Sequence, residues 1–158
     1  TKVDYLGLPE ESKNKTAGGW LRSGDMVHWY EKGWFYFDYR KGTELRRAGD
    51  FIQPDHIEKI IGEHPAVSEV CVFGIPAASG APGESDLVAA ISPFEGKTIE
   101  PAAIYEKCKK ELSANFIPSY LHILDDLPKT ISEKPLERVL REMFNKGQGT
   151  IYAAEDYI

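Results

Sequence analysis

Residues 54–76 read PDHIEKIIGEHPAVSEVCVFGIP, and the fold turns on this stretch. Ile57, Ile60 and Ile61 recur at helical spacing, so the segment after Pro54 is predicted to be an amphipathic helix ending near Gly62–Pro65. Val70-Cys71-Val72-Phe73 is then a short apolar run closed by Gly74 and Pro76, which predicts a buried strand. Downstream, residues 77–86 form a loop rich in Ala, Gly, Ser and Pro, and Leu87–Ile91 reads as a second strand. Pro101 sits in the first turn of a helix whose Ile104, Cys108 and Leu112 follow i, i+4, i+8 spacing. Tyr120–Leu124 predicts a third strand, and Leu136, Val139, Leu140 and Met143 mark a last amphipathic helix. Three strands with unequal connections fit an α+β domain, a small three-stranded sheet covered by helices on one face, better than a doubly wound sheet.

Upstream the texture differs. Residues 1–19 are polar and turn-rich, and two aromatic runs, Met26–Tyr30 and Trp34–Asp38, flank Glu31-Lys32-Gly33 as a β-hairpin would. Residues 1–41 therefore read as a separate element, 42–146 as the main domain and 147–158 as a weakly anchored tail. The chain opens on Thr1 rather than Met, and its first residues do not resemble the start of a domain, so a piece of a longer protein is expected.

With 42% hydrophobic and 28% charged residues among 158, the chain has globular composition. Its 25 acidic and 19 basic side chains, net charge −6, argue against a non-specific nucleic-acid binder. No apolar run approaches the roughly 18 residues of a membrane span. Cys71 and Cys108 are too far apart for a CxxC motif and read as buried free thiols of a reducing cytoplasm. His28, His56, His64 and His122 lack partners at ligand spacing, so no metal site is expected.

Three stretches carry candidate chemistry. In Trp20-Leu21-Arg22-Ser23-Gly24-Asp25, Asp25 suits a tight turn, where its carboxylate caps backbone N–H groups; alternatively it accepts hydrogen bonds from a sugar diol. Between Arg40 and Asp50, four basic side chains (Arg40, Lys41, Arg46 and Arg47) lie in an otherwise acidic chain. They suit a polyphosphate, or else a charge-alternating edge strand with a turn. In Asp126–Arg138, a loop between Pro128 and Pro135 presents Lys134 just before the last helix, either to meet an anion or as a surface charge, with Thr130 and Ser132 as caps.

In order, these stretches resemble the adenylate-forming superfamily of acyl-CoA synthetases, peptide-synthetase adenylation domains and luciferases. Trp20–Asp25 is similar to that family's GWxxTGD segment, Tyr39–Ile52 to its GRxxxxxxxxGGxxI hinge segment, and Pro128–Arg138 to its PRTxxGKxxR segment. The phrasing Lys129-Thr130-Ile131-Ser132-Glu133-Lys134 leans toward acyl-CoA ligases of the crotonobetaine/carnitine group. The resemblance implies the C-terminal portion of a two-domain ligase, in which a carboxylic acid and MgATP form an acyl-adenylate and CoA then displaces AMP. It implies ribose contacts for Asp25 and Arg40, a hinge at Gly42, and a thioester-forming, CoA-side loop at Arg47, Ala48, Gly49 and Asp50. Lys134 becomes the lysine that bridges acid and phosphate during adenylation. ATP and CoA are the implied co-substrates, with Mg²⁺ riding on ATP and held outside this chain.

The departures are Ser23 for Thr, Gly42 where Asp or Lys is usual, Ala48-Gly49 for a glycine pair, and Glu133 for the glycine before Lys134. Glu133 can pair with Lys134 and dull its charge. The phosphate loop and acid pocket are absent, so residues 1–41 read as the end of the large N-terminal domain and the isolated chain is expected to be inactive. Three other readings compete: a stand-alone module that binds nucleotide or protein through Arg40, Arg46 and Arg47; a peptide-synthetase adenylation domain; and a structural domain self-associating through Trp20, Trp29 and Trp34.

Overall fold

A computed structural model describes residues 9–16, 20–40 and 45–158, which divide into two units, Thr1–Glu44 and Leu45–Ile158. The smaller unit holds helix α1 (Pro9–Lys15) and strands β1 (Asp25–Trp29) and β2 (Phe35–Arg40), and the larger unit begins with strands β3 (Leu45–Arg47) and β4 (Asp50–Ile52). Helix α2 (Pro54–Gly62) follows, opened by Pro54 in its first turn, where a missing N–H costs nothing. Its Ile57, Ile60 and Ile61 are buried on one face. Then come β5 (Val67–Pro76), β6 (Ser85–Pro93), α3 (Pro101–Glu111), β7 (Tyr120–Ile123), α4 (Glu137–Asn145) and β8 (Thr150–Ala153).

The fold is α+β, with a four-stranded sheet in the order β5-β6-β7-β8. The β5–β6 and β7–β8 pairs are antiparallel, and the crossover through α3 makes β6–β7 parallel. Two expectations are corrected here. The sheet has four strands rather than three, because the stretch read as a tail supplies β8 along β7. Helices also cover both faces rather than one. Alternation along β6 sends Leu87, Ala89 and Ile91 to the α2–α3 side, where Ile57, Ile60, Ile61, Ile104, Tyr105 and Cys108 pack. It sends Val88 and Ala90 to the opposite side, under Leu140 of α4 and Leu124 and Leu127.

Gly74 does not close its strand as expected. β5 runs on to Pro76, and a Cβ at Gly74 would come within 2.5 Å of Leu45 Cδ2 and 3.1 Å of Ser85 Cβ. Glycine there lets the β3–β4 hairpin seat buried Leu45 against the sheet. Helix α2 also guards the outer edge of β5, where the Val72 N–H donates to Glu58 Oε1 at 2.7 Å. Desolvation raises the Glu58 carboxyl above its ordinary pKa.

β8 is held by side chains the sequence does not advertise. Tyr157 stacks on Tyr105 at 5.3 Å between ring centroids, and the Tyr105 hydroxyl donates to the Tyr152 carbonyl at 3.1 Å. On the other face His122, fully buried in β7, donates from Nε2 to the carbonyl of Gln148, which lies in the turn leading into β8. Among the described residues its buried Nδ1 has no partner. Burial pulls the His122 pKa below the ordinary 6.5, against the opposing hydrogen bond to Gln148. The unfolded chain therefore binds the proton more readily. The contribution to stability is complete above about pH 6.5 and is lost as pH falls below it. Thermal melts between pH 7.5 and 5 are expected to show Tm falling with pH, and H122Q should flatten that slope. An unchanged slope in H122Q would assign the acid sensitivity elsewhere.

The smaller unit contains a seven-residue helix α1 (Pro9–Lys15) and the hairpin β1 (Asp25–Trp29) and β2 (Phe35–Arg40), joined through a 3₁₀ turn at Glu31–Gly33. Cross-strand pairs stack along it, His28 on Tyr36 at 5.4 Å and Trp29 edge-on to Phe35 at 4.7 Å. Trp20, Trp29 and Trp34 are nonetheless 81%, 68% and 71% exposed, so this hairpin presents its aromatic surface instead of burying it. No helix among the described residues is long and apolar enough to cross a membrane.

Candidate functional site

In the smaller unit, the loop Trp20–Asp25 is pinned to α1. The Arg22 N–H donates to the Lys15 carbonyl at 2.8 Å, and the Lys15 ammonium donates to the Ser23 carbonyl at 3.1 Å. The Ser23 hydroxyl accepts the Asp25 N–H at 3.1 Å across Gly24, whose φ is +91°. Serine in place of threonine thus keeps the oxygen that fixes the Asp25 backbone. The antiparallel register sets Asp25 opposite Arg40 at the open end of the hairpin. Two residues fifteen positions apart, which the resemblance leads one to expect at the same ribose, are therefore register partners in the ladder. Only the backbone of Arg40 is described, and Gly42, the expected hinge, lies outside the described residues. Lys15 carried no sequence signal of its anchoring role, because the contact depends on how α1 meets the loop.

The four loop residues Arg47, Ala48, Gly49 and Asp50 form the β3–β4 turn. Arg47 and Asp50 are register partners, with Ala48 at φ +51° and Gly49 at φ +86° between them. Two successive positive φ values define a type I′ turn, and they explain a glycine pair at this place. Ala48 occupies the first position with a Cβ that glycine would not have. The flanking side chains point away from the turn. The Arg47 guanidinium donates to the carbonyl of Ile117, and Asp50 Oδ2 accepts from Asn115 Nδ2 at 2.7 Å. Both anchors reach the same 3₁₀ turn, Ala114–Phe116 and the residue after it, so the hairpin tip is docked on both sides. Arg46 lies over the Phe51 ring at 5.9 Å and faces Glu84 at 3.7 Å. Asn115 anchors this turn through Asp50, a contact that spacing alone does not reveal.

Lys134 lies at the end of a loop closed on itself. The Thr130 N–H donates to the Lys134 carbonyl at 2.8 Å, and the Lys134 N–H donates to Thr130 Oγ1 at 3.1 Å. Lys129 and Pro135 bridge its base. Glu133 has φ +61°, a left-handed conformation that glycine adopts without strain, which accounts for the family's preference there. The ion pair expected between Glu133 and Lys134 is not formed. The Glu133 carboxylate turns instead to the Lys129 ammonium at 3.2 Å. Lys134 is exposed, and among the described residues no carboxylate lies within ion-pair distance of its ammonium.

Neither cysteine competes for a nucleophilic role. Burial pushes the half-buried Cys71 thiol up to about 12 and the buried Cys108 thiol to about 11, so both stay protonated near neutral pH. No group of three or more His, Cys, Asp and Glu that could hold a metal occurs among the described residues.

The family described as AMP-binding enzyme C-terminal domain matches residues 56–134. An oxalate–CoA ligase of Arabidopsis thaliana is 32% identical over 140 residues, covering 89% of this chain and 27% of that protein. A crotonobetaine/carnitine–CoA ligase of Citrobacter koseri is 31% identical over 143 residues, covering 87% of this chain and 26% of that protein. The structure of ATP-bound MatB from Rhodopseudomonas palustris superposes with a TM-score of 0.72 at 26% identity, covering 89% of this chain and 27% of that one. The chain spans about a quarter of the length of the relatives it matches.

Proposed function

The chain belongs to the AMP-binding enzyme C-terminal domain family, and from that premise we propose that it is the C-terminal portion of an ATP-dependent acid–CoA ligase. The observation that carries the reading is Lys134. It is an exposed ammonium with no carboxylate at ion-pair distance among the described residues, at the end of a closed loop and of the family-matched span.

In the first half-reaction a carboxylate oxygen attacks the α-phosphorus of ATP and pyrophosphate leaves. Negative charge gathers on the bridging and non-bridging oxygens, and Lys134 stabilises it as a positioned donor. Asp25 and Arg40, opposed at the mouth of the hairpin, hold the ribose hydroxyls. In the second half-reaction the thiol of CoA attacks the acyl carbonyl and AMP leaves with the bonding electrons. There the β3–β4 turn, with Ala48 and Gly49 at its tip and Arg47 and Asp50 as its anchors, replaces the Lys134 loop at the reacting centre. Gly42 supplies the rotation between the two poses, with residues 1–41 remaining in the large domain and 42–146 moving. Mg²⁺ arrives on ATP, held by groups outside this chain. The aromatic surface around Trp20, Trp29 and Trp34 packs against that large domain, in a cytoplasmic enzyme.

Acid-dependent exchange of pyrophosphate into ATP by the full-length protein, followed by CoA-dependent thioester formation, tests the proposal. Exchange with at least one acid of a panel spanning dicarboxylic, trimethylammonium and aliphatic acids is expected, and none from the 158-residue chain alone. Nucleotide binding without exchange for any acid would leave a binding module instead.

A further inference from the structure

Two lysines of one loop stand in opposite circumstances. The Lys134 ammonium is exposed and has no carboxylate at ion-pair distance among the described residues, whereas Lys129 is only 22% exposed and is held twice. Its Nζ lies 2.6 Å from Glu69 Oε1 and 3.2 Å from Glu133 Oε2. The other hydrogen bonds of the 128–135 segment among the described residues close the loop on itself: Thr130 N–H to the Lys134 carbonyl, Lys134 N–H to Thr130 Oγ1, Glu133 N–H to the Thr130 carbonyl, Leu136 N–H to the Pro128 carbonyl, and one between the Thr130 and Ser132 hydroxyls. Among the described residues the polar link from this loop to the sheet is Lys129 to Glu69, a residue of β5. Among the described residues the second Glu69 oxygen is buried without a hydrogen-bond partner, and the counter-charge this carboxylate finds there is Lys129. Glu133, the other arm, is the left-handed residue immediately before Lys134. A glutamate at φ +61° is strained where glycine is not, and among the described residues its ion-pair partner is Lys129.

We propose that Lys129 is a positioning residue for adenylation: it clamps the loop to β5 through Glu69 and holds Glu133 in its left-handed turn, fixing where the next residue, Lys134, presents its ammonium. The proposal rests on the reading of Lys134 given above. It also accounts for Glu133, whose side chain restrains the backbone at a position where glycine would leave it free.

The test uses the full-length ligase with K129M, K129R, E69Q and K134A variants. The readouts are the kcat and acid KM of adenylation, thioester formation from synthetic acyl-adenylate, and amide hydrogen exchange of a peptide covering 128–136. K129M is expected to speed amide exchange in that peptide and to lower the adenylation kcat about tenfold to a hundredfold, the loss typical of roughly 1 Å of misplacement. KM and the thioester half-reaction should stay near parent values. E69Q should loosen the same peptide, and K129R should restore protection and most of kcat. A K129M or E69Q enzyme with parent-like exchange in the peptide would overturn the clamp, as would a loosened peptide with parent-like adenylation. If K134A leaves adenylation intact, the reading of Lys134 falls, whereas peptide protection in K129M still decides whether the clamp exists.

Discussion

In the full-length protein, Lys134→Ala is expected to lower acid-dependent pyrophosphate exchange by about 10²–10³, or about 3 kcal/mol of transition-state stabilisation, with thioester formation from synthetic acyl-adenylate expected to fall far less. The asymmetry follows from charge. Adenylation brings an anionic carboxylate against an anionic phosphate, and the ammonium is worth most where that charge develops and water is excluded. Thiol attack on an acyl-adenylate generates its charge at the acyl carbonyl, and in the pose proposed for that step the Lys134 loop would face solvent. The loop suits the residue to the role proposed for it in the first step. Its backbone is fixed by Thr130 on both sides, and the neighbouring carboxylate of Glu133 is drawn off to Lys129, so the ammonium is not neutralised in advance. Lys134→Arg should recover only part of the rate, because a planar guanidinium sets its charge at a different distance from the backbone. Measuring both half-reactions on one preparation is decisive. Equal losses in the two would remove Lys134 from the chemistry and return it to the protein surface.

Gly149→Ala is the substitution expected to damage the fold most for the smallest change. Gly149 has φ +80°, and a Cβ there would come within 2.7 Å of the Ile123 carbonyl oxygen, 2.6 Å of Leu124 Cδ2 and 3.2 Å of His122 Nε2. The left-handed backbone costs an alanine about 1–2 kcal/mol. Overpacking against β7 adds about 1–3 kcal/mol, because the carbonyl belongs to a paired strand and cannot retreat. A total near 3 kcal/mol would lower Tm by roughly 10 °C or more in a unit of this size. Gly147→Ala is the control. Its φ is +65°, but a Cβ there meets nothing within 4 Å, so only the backbone cost of about 1–2 kcal/mol applies. Equal losses in the two variants would show that β8 is not held as tightly against β7 as its contacts imply.

The elements of the larger unit were legible where burial imposes a period. Ile57, Ile60 and Ile61 announced α2, Pro101 and Ile104 announced α3, and Leu140 with Met143 announced α4, because each buried face repeats at helical spacing. β8 was not legible. Thr150–Ala153 is short, sits between a glycine pair and acidic residues, and draws its stability from β7, Tyr105 and Tyr157, all distant in sequence. Gly74 misled for a related reason. A glycine in a strand reads as an end unless the Leu45 side chain that needs its space is known.

The site divides along the same line. The family was legible through the resemblance of Trp20–Asp25, Tyr39–Ile52 and Pro128–Arg138, in that order, to its segments, and the same resemblance put forward Asp25, Arg40, the Ala48-Gly49 turn and Lys134 as candidates. Tertiary structure alone decided which partners those residues keep. It set Asp25 across the ladder from Arg40 and tied Arg47 and Asp50 to the turn at Asn115 and Ile117. It also directed Glu133 to Lys129 rather than to its neighbour Lys134. Adjacency in a chain does not select an ion-pair partner. Backbone direction does, and at φ +61° the Glu133 side chain leaves the turn toward the lysine that is already anchored to the sheet.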